Sequence, residues 1–333
     1  MNSSITRRSL LGASLALGTA APRLSAAQPS EIVIYTSNPA QAVDAVKEVV
    51  EKARPPLRIS TITGGSGQLL RRIAAEVQRP QADIFWSSSA NTLGDFKALF
   101  QPYRSPELAA IPQSLHQPED LWTATNVHVV VAMLNTRQLG RAQAPKSWAD
   151  LLDPAWKGKI VIADPLNSST GYTILWGIEQ LLGTEGLKRL AANLTVSSAA
   201  SAVLRGVGQG EYAVGLTFES NAYGYVAGGQ REIKLVYPSE GTFISPEFQV
   251  LIKDAPGGAT ARRAFDLLIS KEVQTALLEA AFRRPSRSDI DVAKYVALPA
   301  IADIKVFPTD ETEAAARRGE FIARWQAILA AAR

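Results

Sequence analysis

Small hydroxyl and glycine residues recur in short groups directly after apolar segments of the chain. The groups are Thr36-Ser37, Gly64-Gly65-Ser66-Gly67, Ser87-Ser88-Ser89 and Ser168-Ser169-Thr170-Gly171. Hydroxyls donate hydrogen bonds, and glycine lets backbone N–H groups come close to a bound molecule. Such donors can hold an oxyanion without lysine or arginine, because hydrogen bonds to a charged group are about twice as strong as neutral ones. These residue types indicate recognition of a small polar solute rather than a reaction on it.

The glycine turn from Thr63 to Gln68 lies between a predicted strand and the start of a predicted helix. The first N–H groups of a helix have no intrahelical partner, and the positive end of the helix dipole attracts anions. The turn is therefore a candidate anion site. A plain glycine-rich turn capped by Ser66 explains the motif equally well. The segment Asn167–Gly171 repeats the arrangement later in the chain, and there one hydroxyl is expected to cap the helix.

The remaining candidates are weaker individually. Serine is common in loops, but Ser87-Ser88-Ser89 and Ser197-Ser198 are better candidates for ligand binding because they lie at the ends of predicted strands. Glu219 follows a predicted strand and would repel an anion unless it met a sugar hydroxyl or an ammonium group; the alternative is a solvated acid at a helix start. Arg283-Arg284 could reach the rim of a cleft, or could be ordinary solvated surface.

The chemistry-bearing residues give little support to an enzyme. The chain has no cysteine and two histidines, His116 and His128, which we expect to be structural or solvent-facing. Around Ser66, glutamine stands where a nucleophile elbow needs its second glycine. The glycines of residues 206–210 do not follow a strand, and no phosphate loop is present. We therefore predict no catalytic residue, metal or cofactor, with an exported serine hydrolase as the enzyme alternative.

The elements that position these residues alternate between strands and helices. Residues 31–36, 57–63 and 82–86 are predicted strands separated by amphipathic helices, which is typical of a parallel sheet with its ligand at the carboxyl edge. A similar alternation follows residue 158. The Val-rich run 126–134 and the segment 242–251 are predicted to cross between two lobes and form a hinge. We assign residues 28–127 and 252–333 to lobe 1 and 128–251 to lobe 2.

The first 27 residues are predicted to be an export signal. Arg7-Arg8 precedes a short apolar run and a small-residue cleavage site, which resembles a twin-arginine signal, with Sec export as the alternative. This segment carries three of the four net positive charges of the chain. The remainder is nearly neutral and has no basic block, so no nucleic-acid partner or membrane attachment is expected.

Several motifs together resemble the periplasmic solute-binding proteins of ABC importers, in the type 2 branch that includes ferric-iron-binding proteins. They include Val33–Ser37, Gly64–Glu76, Pro80–Trp86, Pro145–Leu152, Trp156–Ile160, Asp164-Pro165 and Ser169–Gly171. The resemblance covers nearly the whole chain after the leader. It implies an α/β protein with two lobes and two hinge-crossing strands, located in the periplasm and delivering a solute to an inner-membrane ABC permease. We expect a monomer.

Within this family the ligand is open. Ferric-binding members use adjacent tyrosines and a histidine, whereas here Tyr223 and Tyr225 are separated and the segment 35–39 has no histidine. Residues 216–219 and the glycine turn look more like members that bind sugar phosphates or phosphonates. That resemblance implies hydroxyls and glycines around the anion and Glu219 against a hydroxyl or amine. The candidate ligand-binding residues are Ser37, Gly65, Ser66, Gly67, Ser88, Ser169, Thr170, Ser198, Glu219 and Tyr223. The alternatives are a ferric-iron-binding protein and a sensor subunit.

Overall fold

The computed structural model describes residues 30–140 and 143–332, so the predicted export signal lies outside the described residues. The strands are β1 (Ser30–Thr36), β2 (Leu57–Thr63), β3 (Ile84–Trp86), β4 (Phe100–Gln101), β5 (Thr123–Asn135), β6 (Ile160–Ala163), β7 (Leu194–Ser197), β8 (Val214–Phe218), β9 (Ile233–Val236), β10 (Ile244–Ile252) and β11 (Arg284–Pro285). The α-helices are α1 (Ala40–Glu51), α2 (Ser66–Ala75), α3 (Ala90–Leu93), α4 (Ser169–Ala191), α5 (Ala200–Gly208), α6 (Glu219–Ala227), α7 (Gly258–Leu268), α8 (Lys271–Ala281), α9 (Glu311–Ala316) and α10 (Arg318–Ala332).

Two sets of three parallel strands are joined by an antiparallel pair. The strand order is β2-β1-β3-β10-β5-β8-β6-β7. β1 runs parallel to β2 and β3, and β6 runs parallel to β7 and β8, whereas β5 is antiparallel to both β10 and β8. Because the strands of each parallel set end at one edge, the polar residues that follow them are brought together there.

Strand β5 connects the two halves of the molecule. Its first part, from Thr123 to Val129, pairs with β10, and its second part pairs with β8 and β9. All 13 residues of this strand are buried, which explains its nearly continuous apolar sequence. The crossings predicted at residues 126–134 and 242–251 correspond to β5 and β10.

The core follows from the alternation of side chains along the strands. In β1, Ile32 and Ile34 pack against α1, α7 and α8, whereas Tyr35 packs on the other face with residues of α2. Helix α1 contributes the buried face Ala42, Val43, Val46 and Val50, spaced by one helical turn. These apolar faces fix the sheet against its helices and leave the polar strand ends at the edge.

Local contacts fix the helices near the C-terminal end of the chain. Helices α7 and α8 are separate, because the Ser270 side chain accepts a hydrogen bond from the Val273 N–H and starts a new helix. Helix α10 packs against α4, where the Phe321 ring lies 5.3 Å from Tyr172 and 5.8 Å from Trp176. Helix α10 therefore packs with α4, and the assignment of residues to the two lobes stays a prediction.

In the part of the chain that the structure describes, no helix combines the length and the apolar character needed to span a bilayer.

Candidate functional site

Serine side chains from both lobes meet at the edge where the parallel strands end. Ser37, after β1, is hydrogen bonded to Ser66 at the start of α2 (Oγ–Oγ 2.9 Å) and to Ser87 after β3. The Ser66 Oγ lies 3.5 Å from the Oγ of Ser169, in the first turn of α4 in the other lobe. We call Ser37, Ser66, Ser87 and Ser169 the serine cluster. Ser37, Ser66 and Ser169 are candidate ligand-binding residues from the sequence analysis, whereas Ser87 is not.

The N-terminal turn of α2 touches the turn before α4. The Gly67 N–H donates to the Asn167 carbonyl (3.4 Å), and the Arg71 guanidinium donates to the Asn167 side-chain oxygen (2.8 Å). A Cβ atom at Gly65 would lie 2.8 Å from the Asn167 carbonyl oxygen, and one at Gly67 would lie 2.6 Å from that of Leu166. Since real Cβ contacts are almost never shorter than 3.0 Å, both glycines allow the lobes to approach. We call these interactions the closure contact.

The first turn of α4 supplies donors to the same region. Ser168 caps this helix by accepting a hydrogen bond from the Gly171 N–H (3.3 Å). Ser169 and Thr170 are buried within the first turn, where backbone N–H groups have no intrahelical partner. The expectation that one hydroxyl of this segment caps the helix therefore agrees with the structure, in which Ser168 is the cap.

Three buried hydroxyls at strand ends make no hydrogen bond to the described residues. They are the Oγ atoms of Ser88 and Ser220 and the Oγ1 of Thr217. Ser88 follows β3 with a φ of 90°, a conformation that costs a non-glycine residue on the order of 1–3 kcal/mol. Thr217 is at the end of β8, and Ser220 is in the first turn of α6. Buried polar groups nearly always have a partner, so these oxygens are candidates to contact a ligand.

Glu219 has hydrogen-bond partners within the protein, and its predicted contact with a ligand stays a prediction. It is buried and accepts two hydrogen bonds from the Arg284 guanidinium, at 2.6 and 2.9 Å, and one from the Tyr237 hydroxyl at 2.6 Å. Arg284 in turn is buried rather than solvated, because β11 pairs with β5 and draws the arginine into the hinge. The carboxylate is therefore fully engaged within the protein.

Two further predicted residues lie apart from the serine cluster. Tyr223 is half-buried on α6, and its ring packs edge-on against Phe282 at 4.9 Å. Ser198 is exposed after β7. No contact of the described residues joins either one to the serine cluster, and their role in binding stays a prediction.

The sequence prediction missed a buried charged network at the hinge. The Glu247 carboxylate, on β10, contacts His128 Nε2 at 3.0 Å and accepts a hydrogen bond from the Asn38 amide at 3.1 Å. Arg283 donates to the Asn38 side-chain oxygen (2.8 Å) and approaches the His128 ring. The His128 ring also stacks on Phe218, with centroids 4.0 Å apart. The sequence signal that could have revealed this network was His128, a histidine within the Val-rich segment that forms β5.

The charge states in this network follow from its burial. Burial lowers the pKa of His128, and the nearby positive charge of Arg283 lowers it further. Burial alone would raise the pKa of Glu247, but Arg283, His128 and Asn38 outweigh that effect and the pKa is lowered. The network is therefore an ion pair between Arg283 and Glu247 with a neutral histidine beside it, and it connects Asn38 of the first lobe to both crossing strands.

Comparison with known proteins supports the same architecture. A family model for bacterial extracellular solute-binding proteins matches residues 79–313. The chain belongs to this family. Its members are transport binding proteins rather than enzymes, and they deliver small solutes to ABC permeases. Among residues 30–140 and 143–332, no group of three or more His, Asp and Glu side chains is arranged to hold a metal ion.

Individual relatives differ in the ligand given in their names. An Fe(3+)-binding periplasmic protein of Serratia marcescens is 29% identical over 73% of this chain and 74% of its own length. A Salmonella typhi protein, provisionally named as a 2-aminoethylphosphonate-binding periplasmic protein, is 24% identical over 82% of this chain and 83% of its own. The periplasmic binding protein AfuA of Actinobacillus pleuropneumoniae, solved with fructose-6-phosphate bound, has a TM-score of 0.84 at 25% identity and covers 91% of this chain and 99% of AfuA. The predicted two-lobed α/β fold is thereby confirmed.

Proposed function

We propose that the chain is a periplasmic receptor that captures a small organic phosphate, a sugar phosphate or a phosphonate, between its lobes and delivers it to an ABC permease. The observation that carries this proposal is the serine cluster, which draws hydroxyls from both lobes to one point. The buried hydroxyls of Ser88, Thr217 and Ser220 add donors without partners. Neutral donors at helix N-termini suit a tetrahedral oxyanion.

Closure of the hinge is the proposed mechanism. A solute that contacts Ser66 of one lobe and Ser169 of the other binds the closed state better than the open state. It shifts the population toward closure by that difference in affinity. The hinge network around Glu247 stays buried while the lobes rotate, because it is built on the crossing strands.

The phenol groups available here favour an organic anion over bare Fe(III). Tyr223 packs edge-on against Phe282, and the Tyr237 hydroxyl donates to the Glu219 carboxylate. A hard trivalent cation prefers anionic oxygen ligands, whereas the serine cluster offers neutral hydroxyls.

Titration calorimetry of the mature protein tests this proposal. We expect saturable binding of fructose-6-phosphate, glucose-6-phosphate or 2-aminoethylphosphonate. Ser66→Ala should weaken that binding about 10- to 100-fold, the value of one hydrogen bond to a charged group. The exposed Ser114 provides the matched control, Ser114→Ala.

Two outcomes would contradict the proposal. Saturation by Fe(III) with no heat from any organic phosphate would make the ferric-binding alternative correct. Turnover of a phosphate ester that Ser66→Ala abolishes would instead make the chain an exported hydrolase.

A further inference from the structure

A groove lies between the start of α1 and the region of α6. Its walls include Pro39 and Gln41 from the start of α1 and Ser220, Asn221, Tyr225 and Gln230 from the region of α6. Pro39 is two residues after Ser37, and Ser220 is in the first turn of the helix that follows β8. The groove is therefore lined by residues that closely follow β1 and β8, two strands whose ends carry hydroxyls of the proposed site.

The groove is polar but carries no formal charge. None of the described residues that line it is Asp, Glu, Lys, Arg or His. Burial raises the pKa of Tyr225, which keeps its phenol neutral. Glu219, adjacent in sequence to Ser220, is engaged by Arg284 and Tyr237. A ligand ammonium group in this groove would therefore meet no carboxylate with which to form an ion pair.

The groups that remain are suited to hydroxyl recognition. Side-chain amides such as that of Asn221 both donate and accept hydrogen bonds, as sugar hydroxyls do. The Ser220 Oγ is buried and has no partner among the described residues. This oxygen is an independent indication that part of a ligand reaches this wall of the groove.

We propose that this groove holds an uncharged, hydroxyl-rich part of the solute, so that the receptor takes a sugar or polyol phosphate and discriminates against aminoalkylphosphonates. This inference rests on the proposed function, since it requires that the anion be bound at the serine cluster. Asn221 and Ser220 are then specificity-determining residues, and they read the body of the solute rather than its phosphate.

Calorimetry with a set of small probes tests the groove separately from the anion site. The probes are fructose-6-phosphate, glycerol-3-phosphate, inorganic phosphate, 2-aminoethylphosphonate and propylphosphonate, which replaces the ammonium group of the fourth probe by a methyl group. We expect the sugar phosphate to bind more tightly than inorganic phosphate. We expect 2-aminoethylphosphonate to bind no better than propylphosphonate.

Two variants at Asn221 sharpen the test. Asn221→Ala should weaken fructose-6-phosphate binding about 3- to 10-fold, the loss of one neutral hydrogen bond, and should leave inorganic phosphate binding unchanged. Asn221→Asp keeps the shape and adds a carboxylate, so it should shift the preference toward 2-aminoethylphosphonate. The exposed Gln113, in the variant Gln113→Ala, is the control, and the thermal midpoint of each variant reports folding.

The possible failures are distinguishable. If Asn221→Ala changes the binding of fructose-6-phosphate and inorganic phosphate equally, or changes neither, the groove proposal is wrong and the phosphate receptor stands. Tighter binding of 2-aminoethylphosphonate than of propylphosphonate by the unmodified protein would also overturn it. If no phosphorylated probe binds, the proposed function fails and the groove proposal fails with it.

Discussion

Replacement of Gly67 by alanine should weaken ligand binding without weakening the ligand-free fold. The added Cβ would lie 2.6 Å from the Leu166 carbonyl oxygen and 3.3 Å from the Arg71 guanidinium. The arginine is flexible and can move, but the carbonyl belongs to the backbone of the turn before α4. The steric conflict therefore exists in the closed arrangement and disappears when the lobes separate.

The expected magnitude follows from the cost of overpacking. Inserting a methyl group into a well-packed contact costs about 1–3 kcal/mol. Because this cost falls on the closed state alone, the dissociation constant should rise about 5- to 150-fold. In the open state, alanine favours the helix over glycine by up to about 1 kcal/mol. The thermal midpoint of the ligand-free protein should therefore stay constant or rise.

Gly319 offers a matched control. It also lies in a helix, α10, but a Cβ atom at this position would meet nothing within 4 Å. Gly319→Ala should gain the same helical preference and leave affinity unchanged. Calorimetry gives the two dissociation constants, thermal unfolding gives the midpoints, and X-ray scattering along a ligand titration should show that Gly67→Ala becomes compact only at a higher ligand concentration than the control.

Two results would refute this reasoning. A dissociation constant for Gly67→Ala within twofold of that for Gly319→Ala would mean that the closure contact does not contribute to ligand binding. A thermal midpoint for ligand-free Gly67→Ala well below that of the unmodified protein would mean that the methyl group disturbs the ligand-free fold and not the closed state alone.

Two other perturbations concern buried carboxylates. Glu219→Gln should lower the free energy of unfolding in urea by about 3–5 kcal/mol, because the substitution leaves the buried Arg284 without its ion-pair partner. The control is Glu185→Gln, which removes an exposed ion pair with Lys188 and should change the free energy of unfolding by less than about 1 kcal/mol. If Glu219→Gln instead weakened ligand binding at unchanged stability, the result would support the prediction that Glu219 contacts the ligand. The Glu311 carboxyl accepts hydrogen bonds from the Asn91 N–H and the Ser245 hydroxyl, and its burial raises its pKa from 4.5 to about 7. Between these two pKa values the folded state binds more protons than the unfolded state. The free energy of unfolding should therefore fall by up to about 3 kcal/mol as the pH rises from 4.5 to 7. This decrease should be absent in Glu311→Gln, and a variant with the same pH profile as the unmodified protein would contradict the assignment.

Local sequence patterns were sufficient for most of the fold. Apolar runs followed by amphipathic helices identified β1, β2 and β3 and their counterparts after residue 158, because these elements are determined by the alternation of side chains within a few residues. The same patterns located the polar strand ends, and three members of the serine cluster followed from them. Among Ser87, Ser88 and Ser89 the sequence prediction chose Ser88; local patterns did not show that Ser87 joins the serine cluster or that Ser88 has a positive φ.

The features that the sequence did not predict are contacts between distant segments. Glu219 and Arg284 are 65 positions apart, and they meet because β11 adds to the crossing strand β5. Helix α10 has an apolar face that fits either lobe by composition alone; the aromatic surface of α4 decides where it packs. The sequence around Glu219 does not indicate Arg284 as its partner, and the sequence of α10 does not indicate that it packs against α4.

The positions of the charged residues are consistent with the proposal that neutral groups bind the anion. Arg283 and Arg284 lie near the ends of the parallel strands, yet each is paired with a buried glutamate, Glu247 and Glu219 respectively. Their charges are therefore balanced within the hinge region and contribute little net field to the cleft. An unpaired arginine there would hold the lobes around any anion, including inorganic phosphate. Hydroxyl and amide donors require instead that a solute touch both lobes at once, and so they make closure depend on the shape of the whole solute.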